Sequence, residues 1–351
     1  PRRAPSSQWG FGWKEKRGRR LGEGSKRRGV GISVCSMFSG SPYYPFASAA
    51  VVQLHEDGSA TLFTGATEMG QGCDTTLSQV AAEVLGVNLN DIRLVSGDTE
   101  LCPIDFGSFL SGGARVTGQA VKMAAEEARR QLLEVAADLL EANPEDLVME
   151  DKEIFVNGYP DRRVSYVRAI KECENPIIGR GYQKSVPEAV YHPSLTSAKG
   201  RWTEAYGFAA QVAEVEVDTS SGELKVLRLT TFHDCGYPLN KQIVEGQIDG
   251  CVSMGLGQAL SEKVVLKRGQ IFNPSLLAYA VPISLGTPEV IDGLIHTYDP
   301  KGPFGAKEVG EGAIAGVLGA VANAVHDAVG VRIKSLPITP DKILKGLKKG
   351  G

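Results

Sequence analysis

The chain has 351 residues, enough for roughly two domains around a sizeable core. Charged residues make up 23% and the net charge is −3, so the composition gives no overall attraction to nucleic acid or to a membrane. Six cysteines are scattered without a CxxC pair, which argues against a zinc or iron–sulfur site in this chain and against a disulfide framework.

The chain begins with a basic segment. Ten of the 38 Lys and Arg residues lie within residues 1–30. We interpret residues 1–26 as a mobile or partner-docked arm; RNA binding through this arm is an alternative, although no nucleic-acid fold signature accompanies it.

The next segment, 27–150, is predicted to form a first lobe. Strand patterns surround Asp57-Gly58, which is a hairpin signal. A Gly-rich loop then runs into a helix with Asp74 as its N-cap and Gly86 as its stop. A short strand and a second Gly-rich loop lead to a helix over 119–141.

The remaining residues are predicted to form a crossover and a second lobe. Residues 142–200 are weakly patterned, and we assign 151–200 to the crossover. Residues 201–351 contain a hairpin turning at Ser221-Gly222, a helix over 241–262 and a helix over 313–329. The predicted fold is α+β, with two lobes. No repeat of 20–50 residues is visible.

Four Gly-rich segments lie at or near the predicted helices: Met69–Gly72, Ser111–Ala114, Asp249–Gly257 and Gly310–Gly312. Free amides at helix starts attract anions, and glycine lets a ligand lie against the backbone. Together they could line a pocket for a large phosphorylated cofactor, or they could serve packing and turns alone. None forms a P-loop or a dinucleotide-binding fingerprint.

Two acids precede the last long helix. Glu311 stands between glycines, so a substrate could approach it, whereas Glu308 follows Lys307 and could pair with it or cap the helix. A catalytic Glu needs burial to bring its pKa toward neutrality, and the surroundings of Glu311 fit that better. Capping is the alternative for either acid. The five histidines are too dispersed for a metal motif, and Cys235 is interpreted as a buried structural thiol.

Four motifs stand in order along the chain: GATEMGQGCDTTLSQVAAEVLGV, FGSFLSGGARVTGQAVKMAA, HDCGYPLNKQIVEGQIDGCVSMGLGQALSE and GPFGAKEVGEG with the segment that follows it. Together they resemble the molybdenum hydroxylases, the xanthine dehydrogenase and aldehyde oxidase family. Within that family the motifs look closest to 4-hydroxybenzoyl-CoA reductase and to nicotinate dehydrogenases with a split molybdenum subunit. The resemblance covers the C-terminal half of the usual molybdopterin-binding subunit.

The resemblance implies a role for each matching residue. Glu311 corresponds to the catalytic base, and Gln71 would sit beside the ligands of the molybdenum. Met69, Gly70 and Gly72 would place backbone against the pterin, the loop 109–115 would hold the cofactor through backbone N–H groups, and Met254 would contact it. The implied cofactor-binding residues are Met69, Gly70, Gln71, Gly72, Phe109, Leu110, Ser111, Gly112, Gly113, Ala114, Arg115 and Met254. The metal would be held by cofactor sulfurs, with no side-chain ligand.

Three positions depart from the family pattern. Ala114 stands where relatives often have a serine, although Arg115 is kept. Met254 replaces a frequent glutamine, which removes one polar contact to the cofactor. Leu239-Asn240-Lys241 stands where an Ile-Asn-Pro sequence is usual.

The function implied is a molybdopterin-binding subunit of an enzyme acting on an aromatic or N-heteroaromatic substrate. The reaction would be hydroxylation with water-derived oxygen, or reductive dehydroxylation of a hydroxybenzoyl-CoA. The cofactor would be molybdopterin with molybdenum, with its cytosine dinucleotide form as an alternative. Partner chains would carry the first half of the molybdenum subunit, a 2Fe-2S centre and FAD. A non-catalytic half-subunit that completes a partner's fold is the other hypothesis. Since no signal peptide or run of 18 apolar residues is visible, we expect a cytoplasmic protein without membrane contact.

Overall fold

The computed structural model describes residues 24–40, 46–185 and 203–350. Residues 1–23 of the predicted basic arm, on which the RNA-binding alternative depends, lie outside the described residues. The strands are β1 Lys26–Phe38, β2 Phe46–Leu54, β3 Ala60–Thr64, β4 Ile92–Ser96, β5 Leu147–Glu150, β6 Glu153–Val156, β7 Tyr159–Ser165, β8 Ile178–Ser185, β9 Tyr206–Asp218, β10 Leu224–Asp234, β11 Leu266–Lys267, β12 Gln270–Ile271 and β13 Glu289–Leu294. The α-helices are α1 Cys73–Leu85, α2 Gly118–Leu140, α3 Tyr166–Lys171, α4 Lys241–Leu260, α5 Leu276–Tyr279, α6 Gly312–Val329 and α7 Pro340–Gly350.

Two four-stranded mixed sheets share one topology, with strand orders β4-β3-β2-β8 and β13-β10-β9-β1. Each has a central antiparallel hairpin, β2–β3 or β9–β10. The second hairpin strand pairs in parallel with β4 or β13, and the first pairs antiparallel with the edge strand β8 or β1. A helix follows each hairpin and another follows each parallel strand. The chain therefore contains two copies of one β-β-α-β-α unit, each completed by an edge strand, and the α+β class is confirmed.

The edge strands correct two predicted placements. Residues 27–38 were expected in the first lobe, yet β1 pairs along its whole length with β9 of the second sheet. Residues 178–185 were expected in the crossover, yet β8 completes the first sheet beside β2. The segment between α2 and β8 is also more ordered than expected, because it forms the three-stranded sheet β5-β6-β7 and α3.

Glycines on the two edge strands let a helix approach each sheet closely. A Cβ at Gly31 of β1 would lie 2.1 Å from the carbonyl oxygen of Ala320 in α6. A Cβ at Gly181 of β8 would lie 1.8 Å from the carbonyl oxygen of Ala120 in α2. Neither distance leaves room for a side chain, so each sheet receives an alanine-rich helix face at backbone contact.

The helix α6 is the core helix of the second lobe. It is long and apolar enough to cross a bilayer, the only such helix in the described part of the chain. Its Val317, Ala320, Val321 and Ala324 are nevertheless fully buried in one cluster with side chains of β9 and α4. We therefore interpret α6 as the interior helix of a folded lobe.

Most local predictions from the sequence are confirmed. The hairpins at Asp57-Gly58 and Ser221-Gly222 form, and the long helices lie within three residues of their predicted bounds. The predicted N-cap of α1 is wrong: the cap is Gly72 in a left-handed conformation, and Asp74 lies in the first turn. The carboxylate that binds the amides of this helix start comes from Glu68 instead.

Candidate active site

A cavity of about 520 Å³ lies between the two lobes. Its wall is formed by residues from four segments, within 66–77, 108–117, 235–247 and 306–311. These are the loops before α1, α2, α4 and α6, so equivalent loops of the two structural units meet at one place. The volume is in the range of small-molecule sites.

The loop before α1 is folded around one carboxylate. Glu68 accepts hydrogen bonds from the amides of Gly70 (2.7 Å), Gly72 (2.9 Å) and Asp74 (3.1 Å). Partial burial raises the pKa of Glu68, but these three amide donors outweigh it and hold the pKa below its ordinary value. The amides of Gly70 and Gly72 are therefore occupied by this acid, and the placement of their backbone against a cofactor stays a prediction.

Gln71 is tied to the same loop through both ends of its side chain. Its Oε1 accepts from the Met69 amide at 2.6 Å, and its Nε2 donates to the Thr67 carbonyl at 2.9 Å. Gln71 and Met69 both line the cavity. Since an amide NH₂ has two hydrogens, Nε2 keeps one donor for a ligand.

The loop before α2 carries two residues in an unfavourable backbone conformation. Leu110 and Ser111 have φ of 51° and 50°, in the left-handed region that side chains rarely adopt. Phe109, Ser111, Gly113 and Ala114 line the cavity. The Ser111 hydroxyl donates to Glu311 Oε2 at 3.0 Å. The strained loop thus holds a hydroxyl against the predicted catalytic acid of the other lobe.

Several predicted cofactor-binding residues do not line the cavity in this structure. Gly112 is buried and Leu110 is half-buried, and neither lines the cavity. Met254 lies on α4 with 51% of its surface exposed, away from the cavity. Arg115 is fully buried, with its Nη2 3.1 Å from Glu204 and its Nε 3.7 Å from Asp299. Its side chain joins the lobes by ion pairs, and the contact of its backbone with a cofactor stays a prediction.

The two acids of the last loop are placed opposite to expectation. Glu311 lines the cavity and is exposed, and it makes no capping hydrogen bond although it is the N-cap of α6. Glu308 is fully buried and accepts from the Gly312 amide at 3.2 Å. Burial therefore belongs to Glu308, which also fulfils the capping alternative, while Glu311 keeps a side chain directed to the cavity.

Side chains at the end of β10 fix the base of the same loop. Lys307 Nζ lies 2.7 Å from Asp234 Oδ2, and both side chains are about nine-tenths buried. Burial raises the pKa of Asp234, but hydrogen bonds from Lys307 and Thr297 outweigh it and lower the pKa overall. Cys235 is buried beside them, and desolvation raises the pKa of its thiol to about 11, which agrees with a structural thiol.

Sequence reasoning missed these buried pairs and part of the cavity wall. Tyr237, Leu239 and Ile243 line the cavity after β10. Asn240 caps α4 by accepting from the Ile243 amide, and its side chain also donates to Gln79 of α1 at 3.1 Å. An asparagine before a helix was a visible capping signal. No local pattern indicated the pairing of 233–234 with 307–308.

The backbone amides on the cavity wall suit an anionic cofactor whose own atoms bind the metal. The helix turn starting at Gly113 begins at the cavity wall without a side-chain cap, and such a helix start favours negative charge. The starts of α1 and α6 are already bound by Glu68 and Glu308. Among the described residues, Glu68, Cys73 and Asp74 form the one cluster close enough to hold a metal. Its Glu68 is occupied by amides, and desolvation and nearby carboxylates raise the pKa of Cys73 to about 12.

Comparison with known proteins identifies the family. Residues 5–288 match the family model described as the molybdopterin cofactor-binding domain. The match covers most of the chain, so this protein belongs to that family, and its first cavity loops and α4 lie inside the matched range. The resemblance to molybdenum hydroxylases is thereby confirmed.

The relatives that this chain matches are more than twice as long as the chain itself. The chain is 30% identical to the xanthine dehydrogenase molybdenum-binding subunit of Escherichia coli O157:H7, over 97% of this chain and 45% of that protein. It is 33% identical to the nicotine 6-hydroxylase large subunit of Paenarthrobacter nicotinovorans, over 86% of this chain and 37% of that protein. Quinoline 2-oxidoreductase from Pseudomonas putida 86 has a similar structure, with a TM-score of 0.81, 28% identity, and coverage of 96% of this chain and 43% of that one. The chain thus spans less than half of these relatives.

Proposed function

We propose that this chain is part of the molybdenum-binding subunit of a molybdenum-dependent oxidoreductase, with Glu311 as the catalytic base. The observation that carries the proposal is the position of Glu311. Its carboxylate lines the cavity between the lobes and is bound by Ser111 of the equivalent loop in the other structural unit. The family membership of the chain supplies the cofactor that such a cavity would hold.

The cofactor is proposed to be molybdopterin with molybdenum, in its plain or its cytosine dinucleotide form. Gly113 and Ala114 lie at the uncapped helix start on the cavity wall, where amides suit an anionic group. Gln71 would stand beside it with its remaining Nε2 hydrogen. When bound, the cofactor would supply the two-electron redox chemistry of the reaction.

The residues of this chain would handle protons and water. Glu311 is the acid on the cavity wall that can take up a proton, and Ser111 occupies Oε2 and leaves Oε1 available for that proton. The hydrogen bond restricts the carboxylate to one orientation, which favours proton transfer at a fixed position. Phe109, Leu239 and Ile243 give the wall apolar surface, which would limit the access of water once the complementary part of the subunit encloses the cavity.

The substrate is proposed to be an aromatic or N-heteroaromatic molecule that becomes hydroxylated with oxygen from water. Two relatives support this, because their names are nicotine 6-hydroxylase and quinoline 2-oxidoreductase. Phe109 and Tyr237 place aromatic rings on the cavity wall, which suits a flat ring. Reductive dehydroxylation of a hydroxybenzoyl-CoA is the second reaction that the motifs suggest.

The partner chains are proposed to include the rest of the molybdenum subunit, an iron–sulfur subunit and an FAD subunit. The chain spans less than half of its relatives. The excursion at 263–287 between α4 and β13 exposes a series of large apolar side chains, with Leu277 96% and Leu285 93% exposed. Such an apolar surface marks an interaction site, and the complementary part of the subunit is the occupant we propose.

Replacement of Glu311 tests the proposal. In Glu311→Gln, purified with its partner chains, we expect turnover of a purine, N-heteroaromatic acid, aldehyde or aroyl-CoA substrate to fall by about 10²–10⁴-fold, because the base is lost. Molybdenum content, measured by mass spectrometry, should stay unchanged. Glu83→Gln, on the exposed face of α1, is the matched control. Near-normal turnover in Glu311→Gln would refute the role of this acid, and absence of molybdenum from the wild-type complex would favour the non-catalytic half-subunit.

A further inference from the structure

The carboxylate of Glu308 lies in a small buried space next to the loop that carries Glu311. We call this space the chamber. A Cβ at Gly207 of β9 would lie 1.8 Å from Glu308 Oε1, and a Cβ at Gly312 would lie 2.4 Å from the same atom. A side chain at either position would collide with the carboxylate. Two glycines thus leave the space in which this acid is completely buried.

His233 closes the other side of the chamber. Its Nε2 lies 3.2 Å from the backbone oxygen of Glu308 and 3.3 Å from Oε1, and the ring is fully buried. A ring protonated at Nε2 therefore faces two acceptors of one residue. The hydrogen bond of the ring is to the backbone oxygen, and Oε1 has no hydrogen-bond partner of its own. His233 therefore holds the backbone of Glu308 and lies against its carboxylate.

Glu308 contacts the backbone immediately next to Glu311. Glu308 Oε2 accepts from the amide of Gly312, the residue that follows Glu311. Two thiols hold the carbonyls on either side: Cys251 donates to Gly310 at 3.1 Å and Cys35 to Gly312 at 3.0 Å. Burial raises the pKa of the Cys251 thiol to about 11, so it stays protonated and can donate. The backbone on both sides of Glu311 is therefore held by hydrogen bonds to the side chains of Glu308, Cys251 and Cys35.

We propose that Glu308, held by His233, is the positioning residue of the Glu311 loop. Its buried carboxylate fixes the start of α6 and with it the backbone of Glu311, so that the Glu311 side chain projects into the cavity toward Ser111. Glu308 itself does not line the cavity, and it acts through the Gly312 amide. The inference rests on the proposed role of Glu311 and adds the residue that orients its side chain.

Two variants test the contact from opposite sides. Glu308→Ala removes the acceptor, and Gly207→Ala keeps the acid but fills its chamber. In the full-length protein with its partner chains, we expect the amides of 311–313 to exchange hydrogen for deuterium at least about tenfold faster in both, because the helix start loses its buried acceptor. Turnover should fall at least about tenfold through kcat, with KM changed less than about twofold.

Conservative and matched variants separate positioning from general destabilisation. Glu308→Gln keeps an acceptor oxygen and should restore most of the exchange protection. Tyr166→Phe removes a buried hydrogen bond to the Leu85 carbonyl in the other lobe, and should lower the melting temperature without changing exchange at 311–313. Gly246→Ala, where a Cβ meets nothing within 4 Å, is the control for Gly207→Ala.

The outcomes distinguish this inference from the proposed function. Unchanged exchange at 311–313 in Glu308→Ala or Gly207→Ala overturns the positioning role and leaves the role of Glu311 intact. Full activity in Glu311→Gln overturns the proposed function, while faster exchange in the Glu308 variant would still show that the acid orders the loop. Should Glu308→Ala fail to fold, Gly207→Ala alone decides.

Discussion

At the scale of residues, the site depends on contacts between side chains and single backbone groups. Glu68 gathers three amides of the loop before α1, Glu308 binds one amide before α6, and Ser111 binds Glu311 between the lobes. Only the last of these contacts has both groups on the cavity wall. A substitution at Ser111 therefore tests the proposed role of Glu311 without changing the amide contacts of Glu68 and Glu308.

Ser111→Gly should lower activity without raising stability. It removes the hydroxyl bound to Glu311, a hydrogen bond to a charged group worth about 1.5–3 kcal/mol, so kcat should fall about tenfold or more. It also relieves a residue at φ of 50°, and the gain of about 1 kcal/mol in the free energy of unfolding offsets only part of what the lost hydrogen bond costs. Steady-state kinetics and thermal unfolding measure the two effects.

The control for Ser111→Gly is Asp151→Gly. Asp151 has φ of 50° in the exposed turn between β5 and β6, far from the cavity wall, so stability alone should rise. A Ser111→Gly enzyme with wild-type kcat would show that the hydroxyl does not orient Glu311.

At the scale of elements, each sheet is completed by an edge strand that meets an alanine-rich helix at backbone contact. The same device occurs at β1 with α6 and at β8 with α2. It positions the starts of both helices, and the loops preceding those starts carry Ser111 and Glu311. Packing of the strands thereby determines how the two loops face each other.

Addition of one methyl group to an edge strand should destabilise either lobe. Gly31→Ala and Gly181→Ala would each overlap a helix carbonyl oxygen, at 2.1 Å and 1.8 Å. We expect each to lower the free energy of unfolding by about 1–3 kcal/mol or more, since backbone cannot move aside cheaply. Denaturant unfolding gives the value, with Gly246→Ala expected to be neutral or slightly stabilising on its exposed helix face. A neutral Gly31→Ala would contradict the close contact of β1 with α6.

At the scale of the whole molecule, the cavity is made by both lobes and is open to solvent at its acid. Glu311 is exposed although it lines the cavity, and a long apolar excursion lies on the surface. Relatives are more than twice as long as the part that this chain covers. The complementary part of the subunit would then both enclose the cavity and cover the excursion.

Charge on the excursion should prevent this assembly without unfolding the chain. Leu277→Glu and Leu285→Glu alter side chains that are 96% and 93% exposed, so the free energy of unfolding should change by less than about 0.5 kcal/mol. Association with the complementary part should weaken at least about tenfold, because a charge would be buried at the contact. Light scattering and affinity measurements on the purified complex test this, with Tyr159→Glu on the small sheet as an exposed control. Unchanged association would exclude the excursion as the docking surface.

The sequence by itself determined the local structure and the motifs. Hairpin turns at Asp57-Gly58 and Ser221-Gly222, the long helices, and the placing of Glu311 and Gln71 on Gly-rich loops follow from patterns spanning a few residues. These signals are readable because turn chemistry and helix periodicity act between near neighbours.

Only the tertiary structure decided which strand completes which sheet and which acid is buried. β1 crosses to the second sheet because its glycines admit α6, some 290 residues later in the chain, and no local pattern records that contact. Glu308 is buried, and Glu311 is not, because Gly207 and His233 from distant strands create a chamber for one of them. Edge pairing and burial are set by groups far apart in sequence, and these meet only when the chain has folded.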